Sequence, residues 1–541
     1  MNKLILSFLF FAGLMTMGAQ NSPQWDDDKS KDWPSEFKEV EISSFADGNI
    51  QKAYMYGSQS QIPKPLIISL HTWSGDYQQK DPLAKEILAR DWNYIHPDFR
   101  GPNNTLESTG SKLVISDIED AIHYALKNTN SDPEDVHIIG VSGGGFATLA
   151  AFMNVEYPVK SFSAWAPISD LEAWYWESVG RKQKYAGDIL KAVSTDSVFN
   201  KAEALRRSPL VQDFPTGLRE NAQLYIYAGV HDGCTGSVPV THSINMYNRL
   251  TGELKYGVSN IDTIMQAAVK DSDLATRKEI IELVTKRYNP LFKKYEPLFD
   301  RDVYLHREYQ NIHLTIFDGG HEQLPQALGL IPYKKITSLD FNILTLGDSN
   351  GEIQWGWVNQ LRKMMPESNI VNISKSGRTI GFDNLGRTEL NALSHIDEYL
   401  DQAREQIENE KYDFVIVCLG TNDTKKVFAD RQDEVVANFE KLLSRIKKHS
   451  LIKESNPRLI FVTPPPMRTY DILDKYKGGN ERLNKLIPKF KSIAERKGFH
   501  VIDVYHPLLG VLDYYAEDGI HMAAEGQQIL ASCIVDCLRE Y

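Results

Sequence analysis

Cysteine is scarce in this chain: there are four in 541 residues, at Cys234, Cys418, Cys533 and Cys537. Their spread excludes a disulfide framework, and Cys533 and Cys537 stand one helical turn apart on what reads as the last helix. No Cys/His spacing resembles a zinc site, so no metal and no cofactor are expected. Positive charge is also in deficit, with 60 Lys and Arg against 72 Asp and Glu and a net charge of -12. No basic stripe occurs, which excludes a nucleic-acid partner, and short clusters such as Lys447-Lys448 read as solvated helix faces. Beyond the amino terminus no apolar run is long enough to span a bilayer. What remains, 42% hydrophobic and 24% charged, suits a large globular protein of two or three domains whose cores can do without disulfides.

The amino terminus is the one apolar exception. Met1-Asn2-Lys3 carries a positive charge, Leu4 to Met17 is apolar but short, and Gly18-Ala19-Gln20 offers small residues for cleavage. This pattern predicts a secretory signal peptide over residues 1–19, cut near Ala19. No cysteine lies near the cleavage region, so a lipoprotein anchor is not expected. The mature protein is expected to be soluble, secreted or periplasmic, with no membrane insertion after cleavage.

Strand and helix signals alternate along the rest of the chain. Continuous apolar runs at Pro65–Leu70, Val136–Ile139, Gln223–Ala228 and Leu314–Phe317 read as buried strands, with helical stretches such as Val114 to Leu126 between them. The rhythm restarts at Asn342–Leu346 and continues at Phe414–Leu419 and Arg458–Val462. Two α/β domains follow, over residues 36–332 and 338–541 with a boundary near 330–340. There is no internal repeat and no low-complexity tract.

Each half carries a serine in a setting suited to nucleophilic attack. In the first, the strand ending at Ile139 runs into Gly140-Val141-Ser142-Gly143-Gly144-Gly145, and Phe146–Ala151 reads as a helix. Small flanking residues allow a strained turn that lifts a hydroxyl off the sheet, and a helix amino terminus favours developing negative charge. Asp232 follows one later strand, and His321, in Asp318-Gly319-Gly320-His321, follows the next strong one. The order Ser, Asp, His is that of the α/β-hydrolase fold. With His96-Pro97-Asp98-Phe99-Arg100-Gly101 and Val238-Pro239-Val240-Thr241-His242-Ser243, residues 36–332 resemble an α/β-hydrolase of the prolyl-oligopeptidase-like or acetyl-esterase type. The resemblance implies Ser142 as nucleophile, His321 as base and then acid, and Asp232 as its orienting partner. It also implies an oxyanion hole from the Gly143 amide and one from Leu70-His71-Thr72-Trp73, assigned to Trp73. His231 and His242 are rival bases. Peptidases of that group carry a β-propeller ahead of the catalytic domain, whereas few residues precede the first strand here, so ester hydrolysis is expected over peptide hydrolysis. Two insertions would shape the pocket: Ile168–Asn221, with Trp174 and Trp176, and Thr251–Gln310, which reads as helical and charged. The tryptophans suit either sugar stacking or the packing of a cap.

In the second half, Gly347-Asp348-Ser349-Asn350, Asn372 to Gly377, Gly420-Thr421-Asn422-Asp423 and Asp518-Gly519-Ile520-His521 occur in order. These four blocks resemble the SGNH (GDSL-like) hydrolases over residues 338–541, which implies a flavodoxin-like three-layer α/β/α domain. The resemblance assigns Ser349 as nucleophile, His521 as base and Asp518 as its partner, with the Ser349 and Gly377 amides and the Asn422 side chain as oxyanion donors. The leucine of the GDSL name is Asn350 here, a variation common in carbohydrate-acting members. Trp355 and Trp357 read as core, and Pro464-Pro465-Pro466 is expected to shape the rim.

Two unlike esterase sites on one exported chain suit a polymer bearing more than one ester, since tethering raises the local concentration of the second site. The expected enzyme is a bifunctional serine esterase that removes acetyl, or also methyl, esters from cell-wall polysaccharide or oligosaccharide. A lipid or thioester acylhydrolase, a secreted peptidase in the first domain, and a polysaccharide-binding scaffold with one dead site are the alternatives.

Overall fold

The computed structural model describes residues 32–286, 295–407 and 411–541, so the expected signal peptide lies outside the described residues. Nine strands up to Phe317 form one sheet: β1 (Lys38–Ser43), β2 (Ile50–Tyr56), β3 (Lys64–Leu70), β4 (Asn93–Pro97), β5 (Ser131–Val141), β6 (Ser161–Trp165), β7 (Gln223–Gly229), β8 (Val303–Tyr309) and β9 (Ile312–Phe317), in the order 1-2-4-3-5-6-7-9-8. The centre is parallel, while β1, β2 and β8 pair antiparallel at the two sides. This mixed sheet is typical of the α/β-hydrolase fold.

Five further strands, β10 (Asn342–Gly347), β11 (Asn369–Asn372), β12 (Phe414–Cys418), β13 (Arg458–Val462) and β14 (His500–Ile502), form a second sheet in the order 11-10-12-13-14. Every pairing in it is parallel. The first strand lies second, so the order reverses beside β10, and ligands of such folds bind at the carboxyl ends of strands where the order reverses. This is the SGNH, flavodoxin-like arrangement.

Local chemistry explains the elements. The central β12 is buried along its whole length as Phe-Val-Ile-Val-Cys, as a strand covered on both faces must be. The helix Lys112–Asn128 starts where the Ser111 hydroxyl accepts the Val114 N–H at 3.3 Å. It buries Val114, Ile118, Ala121, Ile122 and Ala125 on one stripe, the spacing of a helix lying on a sheet. One expectation is corrected: the segment 251–310 is not helical throughout, because its end forms β8. That strand reads Val-Tyr-Leu-His-Arg-Glu-Tyr, half exposed at the sheet edge, and so lacks the apolar run of the inner strands.

The two domains meet through buried polar contacts. Glu86 Oε1 accepts from Arg90 Nε at 3.0 Å and Nη2 at 2.7 Å within the first domain, and from the hydroxyl of Tyr515 in the second. Arg90 Nη2 also donates to that hydroxyl at 3.3 Å, Gln326 Nε2 donates to the Tyr514 carbonyl at 2.8 Å, and Lys64 pairs with Asp536. The connecting segment is packed as well, with Tyr333, Ile336, Leu339 and Phe341 against the core of the second domain. Among the described residues no helix is long and apolar enough to cross a membrane.

Candidate active sites

Ser142 sits on the turn between β5 and the helix Gly143–Asn154, with φ 59° and ψ -116°. A non-glycine residue in that region costs about 1–3 kcal/mol and persists only where its surroundings enforce it. Here the Ser142 N–H is taken by the Trp165 carbonyl at 2.9 Å. The flanking glycines let two backbones touch: a Cβ at Gly144 would lie 2.1 Å from the Leu70 carbonyl oxygen, and one at Gly143 would lie 2.3 Å from Trp73 N. The loop after β3 therefore presses Trp73 against Gly143 beside the serine, and Asn103 N–H holds the Trp73 carbonyl at 2.8 Å.

Asp232 follows β7 and His321 follows β9, and the fold brings them together across 89 residues, with His321 Nδ1 2.8 Å from Asp232 Oδ2. The carboxylate accepts, so Nδ1 carries the hydrogen and Nε2 is left basic. Asp232 Oδ1 takes the Gly233 and Val238 N–H groups at 2.8 and 3.1 Å, and Arg181 fastens the covering loop through the Ser237 carbonyl at 2.8 Å. The rival histidines are engaged elsewhere: His231 with Asp318 at 3.2 Å and His242 with Glu177 at 3.0 Å. The glycine at 236 is required, since a Cβ there would lie 2.3 Å from Asp232 Oδ1 and 2.4 Å from His321 Cβ. Gly236→Ala is expected to lower kcat of the first site by roughly a hundredfold, the scale of a 1 Å misplacement, while turnover at the second site stays constant; paired assays of the two activities check this.

Ser349 follows β10 at the carboxyl edge of the second sheet. His521 Nε2 lies 2.8 Å from Ser349 Oγ, and His521 Nδ1 lies 2.6 Å from Asp518 Oδ2. Asp518 Oδ1 accepts the Ile520 and His521 N–H groups at 2.8 and 2.7 Å. Burial raises the Asp518 pKa, but these bonds outweigh it and hold the carboxyl at about 2. The hydrogen bond with Asp518 in turn raises the His521 imidazole above its ordinary value, against its own burial. The oxyanion candidates are equally constrained. Asn422 Oδ1 accepts from the Tyr476 hydroxyl at 2.9 Å and its Nδ2 donates to the Arg378 carbonyl at 3.1 Å, leaving one N–H for the cleft. Gly377 has φ 83°, and its carbonyl is gripped by Asn384 Nδ2 at 2.6 Å. Asp423 ties the two segments together by accepting the Ile380 N–H at 2.9 and 3.0 Å; burial pushes its carboxyl up to about 8. Ser349, His521, Asp518, Asn422 and Gly377 line one cavity of about 770 Å³. Among the described residues no cluster of three or more His, Cys, Asp or Glu could hold a metal.

The prolyl oligopeptidase family model matches residues 87–270, and the GDSL-like lipase/acylhydrolase family model matches residues 345–529. The chain joins an α/β-hydrolase domain to a GDSL-like hydrolase domain. It is an ester-hydrolysing enzyme with two catalytic domains. Similar solved structures include a carbohydrate acetylesterase from Sinorhizobium meliloti, 22% identical over 37% of this chain and 99% of that one with a TM-score of 0.32. The native aryl esterase of M. smegmatis is 21% identical over 37% and 99% with a TM-score of 0.31. A puromycin-hydrolysing peptidase of Mycobacterium tuberculosis is 16% identical over 43% and 37% with a TM-score of 0.32. No curated protein matches the chain.

Several residues around the sites are placed differently from the sequence expectation. In the α/β-hydrolase domain Trp174 is buried, edge-on to Trp73 with ring centroids 4.7 Å apart, so it packs the cap; Trp176 is exposed. In the GDSL-like domain Trp357 is core, but Trp355 is 48% exposed and lines the cavity. The run Pro464–Pro466 is not at the rim: it is buried, and a Cβ at Gly420 would lie 2.9 Å from Pro464 Cγ, so the prolines seat the Gly420 turn from below. Tyr476 and Lys425 were missed, since a tyrosine and a lysine between motif blocks carry no spacing signal.

Asn350 also acquires a reason. It is buried and its Oδ1 accepts Gln527 Nε2 at 2.6 Å, tying the Ser349 turn to the last helix. Asn350→Leu is expected to cost about 1–3 kcal/mol by stripping a buried donor of its acceptor. Leucine at both 350 and 527 is expected to recover most of the loss, as measured by denaturant midpoints.

Proposed function

We propose that the chain is an exported carbohydrate esterase that removes acetyl groups from polysaccharide at two serine sites. Ser142 and Ser349 are the nucleophiles. His321 and His521 take the hydroxyl proton as each serine attacks the acyl carbon, then give it to the departing sugar oxygen. Asp232 and Asp518 hold the imidazoles in the useful tautomer. The Gly143 and Trp73 amides in the first site, and the Ser349 and Gly377 amides with Asn422 Nδ2 in the second, receive the oxyanion. Water then repeats the cycle on the acyl-enzyme and releases the acid.

The observation that carries the carbohydrate reading is the character of the cleft at Ser349. A lipid tail needs a continuous apolar channel, whereas in this cavity Ile353, Leu385 and Leu390 are interspersed with the amide, hydroxyl and charged side chains of Asn384, Asn422, Ser376, Lys425 and Lys475, and the exposed indole of Trp355 joins the lining. Polar groups set among apolar ones, with the aromatic rings of Trp355 and Tyr476, suit a sugar ring. Peptide cleavage at Ser142 is the second reading, favoured by the family matched over residues 87–270. The test is acetate and methanol release from native plant and algal polysaccharides by the wild type, Ser142→Ala and Ser349→Ala proteins. Distinct losses in the two variants support two carbohydrate esterase sites; no release from any glycan, with short model esters still cleaved, overturns the reading.

A further inference from the structure

The cleft at Ser349 holds more positive charge than ester cleavage requires. Lys425 is only 3% exposed, yet it lines the cavity together with Ser349 and His521. Its Nζ donates to Asn384 Oδ1 at 3.1 Å and lies 5.4 Å from the centroid of the Tyr476 ring. Lys475 lines the same cavity, with its Nζ also 5.4 Å from that centroid. Among the described residues no carboxylate stands within ion-pair distance of either ammonium. The acids nearby are bonded elsewhere or unpaired with the lysines: Asp518 is bonded to His521, Asp423 to the Ile380 amide and Asp348 to the Asn350 amide, while Glu517 lines the same cavity as an exposed residue in no ion pair with either lysine. Arg387, the third cation of the wall, is already paired with Glu389 at 2.7 Å.

A buried ammonium without a counter-ion is costly unless something supplies one. The cost is visible in Lys425 itself, whose pKa is pulled to about 8 by burial and by the repulsion of Lys475. Two cations, each 5.4 Å from the centroid of the Tyr476 ring and neither held in an ion pair, in the wall of a substrate cleft form an anion subsite, and the aromatic face of Trp355 gives the same cleft a surface for a ring.

We propose that the GDSL-like site is specific for esters of acidic sugars, with Lys425 and Lys475 receiving a carboxylate of the sugar while Ser349 attacks its acyl group. This rests on the carbohydrate esterase reading above and deepens it. Both lysines are specificity residues: they bind the non-reacting part of the substrate and take no part in proton transfer.

The experiment compares kcat/KM for two matched substrates, an O-acetylated methyl uronide and the O-acetylated neutral methyl glycoside, in the Ser142→Ala protein. The uronide is expected to be preferred. A charge-assisted hydrogen bond corresponds to about ten- to a hundredfold in affinity, so Lys425→Met is expected to lower the acidic-to-neutral ratio by about that factor. Lys475→Met, at an exposed position that leaves the core intact, is expected to lower it several-fold, and high salt is expected to compress the preference. Equal turnover of the two sugars by the unsubstituted cleft, or a ratio unchanged in both lysine variants, overturns the proposal while leaving the esterase reading standing. Cleavage of a short aryl ester without cleavage of either sugar overturns both.

Discussion

Ser349→Ala is expected to reduce ester cleavage at the second site by roughly four to six orders of magnitude, the scale seen when a serine nucleophile is removed from an intact charge network. The geometry supports an effect of this size because the hydroxyl is already poised, with His521 Nε2 2.8 Å from Ser349 Oγ and Asp518 behind the imidazole. Removing Oγ leaves the Gly377 and Asn422 donors in place, so a slow residual hydrolysis by water persists. The measurement is product release in the Ser142→Ala background, so that the first site contributes nothing. Ser142→Ala alone leaves the GDSL-like activity at its wild-type level, and the double variant keeps only the slow residual hydrolysis. A double variant that retained full activity would sink both serine assignments.

Asp518→Asn is the second large effect, with kcat at that site expected to fall by about ten thousandfold. As a carboxylate held at about 2, Asp518 stays ionised throughout the working range and only accepts hydrogen bonds. An asparagine could present its N–H₂ to Nδ1 instead, moving the imidazole proton to Nε2, where it would face Ser349 and abolish the base. The pH–rate profile separates this from a folding defect. His521 must be neutral to take the serine proton, so wild-type kcat/KM rises with pH through an apparent pKa above the ordinary imidazole value, in the direction set by the bond with Asp518. In Asp518→Asn that rise moves to lower pH. A profile that stayed in place would show that Asp518 does not face the working imidazole.

The inner strands were legible because burial on both faces writes an uninterrupted apolar word, as in Phe414–Cys418. The serine turns were legible because their glycines are demanded by close backbone approach, 2.1 Å for a Cβ at Gly144 against the Leu70 carbonyl. The outer strands were not: β1 buries only Ile42, β8 is broken by His306, Arg307 and Glu308, and β14 has three residues. Contacts between distant segments left no local trace. Neighbouring residues Trp355 and Trp357 look alike in sequence, and only the turn of the chain sends one to the cleft and the other to the core. Lys425 reads as one more surface lysine beside Lys426 until the fold closes Tyr476 over it.

The packed seam between the domains turns the chain into something closer to a ruler than to a pair of tools on a string. Glu86, Arg90 and Tyr515 lock across it, and Lys334, within the connecting segment, is tied back to Asp132 at 2.9 Å. A slack linker would let the two serines sample many separations and so tolerate any spacing of esters along a polymer. A fixed seam offers one separation, and simultaneous engagement is then all or nothing with respect to geometry. On the proposed carbohydrate esterase reading, a polymer whose decorations match that interval would occupy both clefts in a single encounter, and one whose decorations do not would let go between cuts.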